Sequence, residues 1–486
     1  MSRQHRAIPD LSNVPTGALV NGQWISGHTQ FEVLDKFTSQ PIAQVAKLDG
    51  DAANRAISIL QKAAAGSIPD PQARSNCLNK AALLLENHRE RLVTVLIAEA
   101  GFTAVDANNE IDRAKVTLQL SAQTALRLHG EMVPFAASPG AHRRIGFTQR
   151  FPIGIVCAIT PFNSPLNVVL HKVAPAYAAG NAVILKPSPF TPLTANILGE
   201  ILLEAGMPPE FLAVVHGSDD SLGATLLHNP AIGFYTFTGS TRVGRLIQAA
   251  AGLRKTQMEL GSIASTIVCA DADLDHALPK IVNAGFRKAG QVCTSVQRLY
   301  VQRDVVAAVQ ERLIQAAQSL IAGDPQLAST HVGPLISRDA AERSEKWVKE
   351  AVQNGAILQC GGTREGSVFT PTVLTDVPET TAVWCQEAFA PMLSIRAFDT
   401  IDEVIINANN TPFGLSAGVF TQDIDQALKM AQQLRFGGIH INEASSARAD
   451  VMPFGGVKES GFGREGPDYA AVEMSEERLI TFNPKH

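Results

Sequence analysis

Apolar residues recur at helical spacing from residue 51 to residue 129, and the period then changes. The first stretch predicts a helix over 51–65, with Asp51 as its cap and Gly66 as its stop. Further helices end near Gly101 and Gly130. Residues 131–140 read as a loop and 144–151 as a strand. From residue 153, short apolar runs alternate with helical ones. Strands are predicted over 154–158, 182–185, 212–215 and 233–237, and helices over 166–179, 193–205, 222–227 and 241–251. A second series starts at Thr266, with helices near 275–287, 305–321, 339–354 and 423–434 and strands near 298–301, 393–397, 416–420 and 438–441. Buried strands alternating with helices imply an α/β fold with parallel sheets covered on both faces, and ligands at the carboxyl ends of the strands.

The chain has 486 residues, more than one hydrophobic core supports, so two substantial domains and a small extension are expected. The main boundary falls near Gly261, where the first series ends. A formal net charge of −5 without a basic stripe argues against nucleic acid or an anionic membrane as partner. No apolar stretch reaches the roughly 20 residues needed to span a bilayer. Residues 1–14 lack the apolar segment of a secretory signal, and Arg3 and Arg6 stand in no amphipathic pattern. Six cysteines form no CxxC pair and no zinc spacing, so no metal site is expected. Cys157 and Cys269 lie in apolar runs, which suits a reducing, cytoplasmic setting.

Three residues suggest chemistry. Cys293 sits in Gly290-Gln-Val-Cys-Thr294, a small-residue loop rather than a core run. Asn163 ends Thr160-Pro-Phe-Asn163 at the carboxyl end of the first βα strand. Glu259 lies in Met258-Glu-Leu-Gly261 at the end of the first series. A thiol attacks, an amide steadies an oxyanion, and a carboxylate activates water. Each residue alone also has a plain reading: a buried cysteine, a helix-capping asparagine, an exposed strand-end acid. Phe237-Thr-Gly-Ser-Thr-Arg-Val-Gly244 places small residues where a strand opens into a helix, a position that receives phosphate or simply turns tightly. Lys186 ends a buried strand, within reach of a ribose or phosphate, or snorkelling to solvent.

These stretches together resemble the aldehyde dehydrogenase superfamily over nearly the whole chain. The motifs are 160–163, Gly180-Asn-Ala-Val-Ile-Leu-Lys-Pro-Ser188, Phe237-Thr-Gly-Ser240, 258–261, 290–293, Gln386-Glu-Ala-Phe389 and Pro453-Phe-Gly-Gly456. The resemblance implies a Rossmann-like cofactor domain (1–130 and 152–261) and an α/β catalytic domain (262–445). It further implies a β-extension for oligomerisation (131–151 and 470–486) and a substrate-mouth loop returning to the cofactor domain (446–469). It implies Cys293 as nucleophile, Glu259 as general base, and Asn163 with the Cys293 N–H as oxyanion hole. Cofactor contacts carry over to Pro161, Phe162, Lys186, Ser188, Gly239, Ser240, Glu387 and Phe389, with NAD or NADP as cofactor and a homodimer or homotetramer as assembly.

Three positions depart from the family's common pattern: Pro189 where NAD-using members often carry an acid, Ser262 for a glycine and Ala390 for a glycine. Losing the acid removes one bar to a 2′-phosphate. The stretch from Thr160 to Ala176 is similar to the semialdehyde, lactaldehyde and phosphonoacetaldehyde branches, and Arg448, with Arg113 as a second arginine, is a candidate for an anionic substrate tail. A salt-bridging role is the alternative for each. A CoA-acylating enzyme and a catalytically silent member are the competing functions. The intact Glu259 argues against the first and the intact trio against the second.

Overall fold

The computed structural model describes residues 9–218 and 220–484. Arg3 and Arg6 lie outside the described residues. Two sheets organise the chain. The first has eight strands in the order Gln23–Ile25, Ala18–Val20, Leu212–Val214, Ala182–Lys186, Ile155–Ile159, Ile232–Thr238, Lys255–Glu259 and Gly461–Phe462. Its five central strands run parallel, and only the edge additions are antiparallel. The second sheet has seven strands: Ile357–Cys360, Thr372–Thr375, Met392–Phe398, Val296–Gln302, Ala264–Val268, Ser416–Phe420 and Gly438–Ile441. All its pairings are parallel except that of the Ile357–Cys360 edge.

The chemistry of each segment explains its element. Central strands such as Ile155–Ile159 and Ala182–Lys186 are apolar because helices cover both faces, leaving no solvent side. The helix after Ile232–Thr238 runs Thr241–Ala251, capped by the Ser240 hydroxyl, which accepts from the Val243 N–H. The first long helix runs Gly50–Ala65 and is capped by Asp49, not Asp51. Both acids precede apolar periodicity, but only Asp49 has the extended backbone a cap needs, and Asp51 instead supplies negative charge in the first turn. The edge hairpin at 18–25 has a clear signal, Asn21-Gly22, with both residues at positive φ (50° and 73°). This is the preferred two-residue turn between alternating apolar residues.

Residues 145–152 and 475–482 pair antiparallel along their whole length in a separate two-stranded ribbon. Its Ile145, Leu479 and Phe482 are exposed. The chain also returns from the second sheet to the first: Gly461 pairs with Glu259 at φ 101°, and a Cβ there would sit 2.0 Å from the Met258 carbonyl oxygen. Only glycine permits that approach, which brings the segment ending in Glu465 beside the strand that carries Glu259.

Candidate active site

A cleft of about 730 Å³ opens where the strands of the first sheet end. Eleven of the thirteen predicted site residues line it: Pro161, Phe162, Asn163, Lys186, Ser188, Gly239, Ser240, Glu259, Cys293, Glu387 and Phe389. The Thr241–Ala251 helix begins at this wall, so its positive end faces the cleft. Phe162 packs edge-on against Phe389 (5.7 Å between centroids) and against Phe190 (5.8 Å). Volume, helix terminus, strand-end Lys186 and an aromatic wall fit an extended dinucleotide.

At the inner end, Cys293 is half-buried beside the Glu259 carboxylate. Burial pushes its thiol well above the usual value, and the Glu259 charge adds to this. Glu259 is itself buried. Burial, then the neighbouring Glu465, raises its carboxyl to about 7, while Arg448 and Lys172 act the other way. An acid poised there exchanges protons near neutrality. Asn163 donates its side-chain N–H to the Gln291 carbonyl at 2.9 Å, which fixes the amide against the cysteine loop. That loop is tightly wound. Lys288 and Ala289 both adopt left-handed backbone, and Gly290 at φ 67° would meet the Ala390 carbonyl oxygen at 2.2 Å if it carried a Cβ. The Lys288 ammonium holds the strained turn in place, donating to Glu110 at 2.7 Å and to the Asn163 carbonyl at 3.2 Å.

Arg113 and Arg448 do not line the cleft. They line a second cavity of about 400 Å³, with Arg287, Lys288 and Ser446. Arg448 donates to Glu465 at 2.8 Å and stacks over Phe454 at 3.9 Å. Arg113 grips Asp450 with two hydrogen bonds, at 2.7 and 3.2 Å. Arg287 donates to the Ser446 hydroxyl at 2.8 Å and forms no ion pair among the described residues. Arg287 and Arg448 of this cavity interact electrostatically with the Cys293 thiol, which itself lines the cleft.

Reading the sequence missed Arg287, Lys172 and Glu465. Arg287 stands six residues before the cysteine and carries no motif signal of its own. Lys172 and Glu465 form a fully buried ion pair at 2.8 Å, joined by Arg448, beside Glu259. Lys172 lies in an otherwise apolar helix, and a lysine inside such a run is the signal that was available.

Comparison with known proteins agrees with this geometry. The model of the aldehyde dehydrogenase family matches residues 24–480. A 3-sulfolactaldehyde dehydrogenase from Priestia aryabhattai is 45% identical, covering 96% of this chain and 98% of that one. A sulfoacetaldehyde dehydrogenase from Neptuniibacter caesariensis is 38% identical over 83% of this chain and 88% of its own. Among solved structures, aldehyde dehydrogenase 21 from Physcomitrella patens, in complex with the reaction product succinate, superposes with a TM-score of 0.93 at 34% identity, covering 96% of this chain and 98% of that one. A glyceraldehyde-3-phosphate dehydrogenase from Methanocaldococcus jannaschii complexed with NADP gives 0.90 at 36%, covering 94% and 100%. Sequence and fold match these enzymes from end to end, and on that ground the chain belongs to the aldehyde dehydrogenase family and oxidises aldehydes with a nicotinamide cofactor.

Proposed function

We propose that the protein oxidises a short anionic aldehyde to the free acid through a thioester on Cys293. The observation that carries this reading is a thiol at a dinucleotide-sized cleft that interacts electrostatically with Arg287 and Arg448 of an arginine-lined cavity. The cavity takes the tail of the aldehyde, and its anion meets Arg287, which feels Asp106 and Glu110 but forms no ion pair among the described residues. Arg448 and Arg113 contribute field from the rim while bound to Glu465 and Asp450.

The thiol loses its proton to the neighbouring Glu259 carboxylate, which releases it to solvent, and the thiolate adds to the carbonyl carbon. The Asn163 amide and the Cys293 N–H meet the oxygen that becomes negative. Glu387 and Phe389 would hold the nicotinamide end of the cofactor, which would supply the hydride acceptor for oxidation of the adduct to a thioester. Glu259 then draws a proton from water, which attacks the thioester and frees the acid. Glu387 fits its role: half-buried, its carboxyl raised to about 7 by desolvation, and accepting the Ser262 N–H at 3.0 Å. The relatives' names point to sulfonated three- and two-carbon aldehydes, with which three arginines agree. Pro189 leaves the adenosine ribose without a repelling carboxylate, so NADP is used beside NAD. The Ile145–Pro152 and Ser475–Phe482 ribbon, which exposes Ile145, Leu479 and Phe482, is the edge through which we expect subunits to assemble.

The test is a panel of aldehydes of equal length, with and without a terminal sulfonate or carboxylate, run with NAD and with NADP. Anionic members are expected to lead in kcat/KM by about tenfold or more. A preference for neutral aldehydes overturns the substrate assignment.

A further inference from the structure

The Gln297 side chain is buried and directs three hydrogen bonds to one distant segment. Its amide N–H groups donate to the carbonyls of Val383 at 2.9 Å and Gln386 at 2.6 Å, and its oxygen accepts the Ala388 N–H at 3.0 Å. Those partners bracket Glu387 and immediately precede Phe389. Phe389 sits at φ 49°, a conformation that a bulky side chain adopts only when its surroundings impose it. Gln297 is the second residue of strand Val296–Gln302 and lies four residues after Cys293. One amide therefore ties the strand leaving the thiol loop to the backbone on both sides of Glu387.

A second brace lies beside it. Arg298 donates Nε and Nη2 to the Trp384 carbonyl at 3.0 and 2.8 Å. The guanidinium of Arg298 lies 4.7 Å from the Trp384 ring centroid and that of Arg396 3.6 Å. This brace holds the 382–385 turn. Past Glu387, Gln297 accepts the Ala388 N–H at 3.0 Å and Arg343 donates to the Ala388 carbonyl at a longer 3.4 Å, so Gln297 is the side chain that grips the segment on both sides of Glu387.

We infer that Gln297 is a positioning residue that sets the distance between the Cys293 sulfur and the Glu387–Phe389 segment, and so the hydride-transfer geometry. The inference rests on the reading above that Glu387 and Phe389 hold the nicotinamide end of the cofactor. The amide suits the task because it is rigid, uncharged at every pH of interest, and offers donors and an acceptor together. Its two tethers run from a parallel strand in the core of the second sheet, which is the least deformable part of that unit.

The test uses the full-length enzyme and three variants. Gln297→Leu keeps the volume and removes the three bonds. Gln297→Glu keeps the acceptor for Ala388 but places an oxygen against two carbonyls, and it serves if the leucine variant does not fold. Glu387→Gln reports on the cofactor reading itself. Measured are the KM for NAD and NADP, the primary isotope effect on kcat with C1-deuterated aldehyde, the rate of Cys293 alkylation by iodoacetamide, and the melting temperature. In Gln297→Leu we expect cofactor KM to rise about tenfold and kcat to fall by about 10- to 100-fold with a full isotope effect. Cys293 alkylation stays within about twofold of wild type, because the thiol loop itself is held from Gly290 and Lys288. Gln297→Glu shifts the same quantities in the same direction, less far. Wild-type cofactor KM and isotope effect in either Gln297 variant overturn the inference, as does alkylation that slows in step with a fall in melting temperature. If Glu387→Gln is also indistinguishable from wild type, the nicotinamide reading of Glu387 falls. If it is impaired while the Gln297 variants are not, only the Gln297 inference falls.

Discussion

The cleft that ends at Cys293 and the arginine-lined cavity beside it are assembled by different rules. The cleft takes its lining from short contiguous runs, 159–163, 186–190, 237–240 and 387–389, most of them following a strand of a parallel sheet. The cavity takes its lining from 105–113, 280–288 and 443–448, three segments that meet only because a helix, the cysteine loop and the substrate-side loop pack together. The cleft is sparse in charge at its mouth. The cavity crowds Arg113, Arg287, Arg448 and Lys288 against Asp106, Glu110 and Asp112. In a cofactor site, strand-end backbone and small residues do the recognising, so chemistry is written locally. In a substrate site the charges must balance one another across the fold, and a residue's meaning depends on which partner it meets.

The hardest break of this comparison removes the thiol at the end of the cleft. Cys293→Ala is expected to lower turnover by about 10⁴-fold or more while cofactor affinity, read by fluorescence of the reduced form, stays at its wild-type value. No core thiol can substitute: burial pushes Cys77 up to about 11 and Cys157 and Cys269 up to about 12. Substantial residual turnover in the pure variant would rule out Cys293 as nucleophile.

A milder break separates the two halves of the reaction. In Glu259→Gln the burst of reduced cofactor is expected to keep its stoichiometric amplitude and to slow, since the thiol loses its neighbouring proton acceptor. Steady-state turnover drops further, by about 10²–10⁴-fold, for want of a base. The wild-type steady-state rate should rise with pH through about 7, where Glu259 loses its proton, and this limb should vanish in the variant. The linkage to stability has the opposite sense. The folded protein holds this proton more tightly than the unfolded chain, so Glu259 destabilises increasingly as pH rises from 4.5 to about 7 and constantly above that. Glu259→Gln therefore melts higher than wild type at pH 8 and equally at pH 4. An unchanged melting temperature at pH 8 would show that the carboxylate is better solvated than its burial implies.

What the sequence made legible follows the same division. The α/β layers, the parallel strand series and the residues of the cleft were readable because periodicity and strand-end motifs are local. The strand at Gly461–Phe462 was not, since two residues carry no period and their pairing depends on a glycine meeting the Met258 carbonyl. Arg113 and Arg448 were picked out as candidate anion readers, but their partners, Asp450 and Glu465, lie 337 and 17 residues away. Arg287 was passed over although it adjoins Lys288 in the cysteine loop. Whether an arginine is committed to an ion pair or left with its charge unbalanced is a property of packing, which no spacing encodes.

That last distinction can be sharpened by one pair of substitutions. Arg287→Ala removes a guanidinium with no carboxylate partner, so only an anionic substrate should notice its loss. A charge-assisted bond of about 1.5–3 kcal/mol corresponds to a loss of about 10- to 100-fold in kcat/KM for the anionic aldehyde, and a neutral aldehyde of equal length should change by less than about threefold. Arg448→Ala removes a charge that already serves Glu465 and that holds down the proton affinity of Glu259. It should impair both aldehydes together and move the acid limb of the pH profile upward. Lysine at 287 should restore part of the discrimination, as a point charge without the planar fork. Should Arg287→Ala fall equally on charged and neutral substrates, while Arg448→Ala spares the neutral one, the two arginines exchange roles, and the ion pair with Glu465 must then open when the substrate anion arrives.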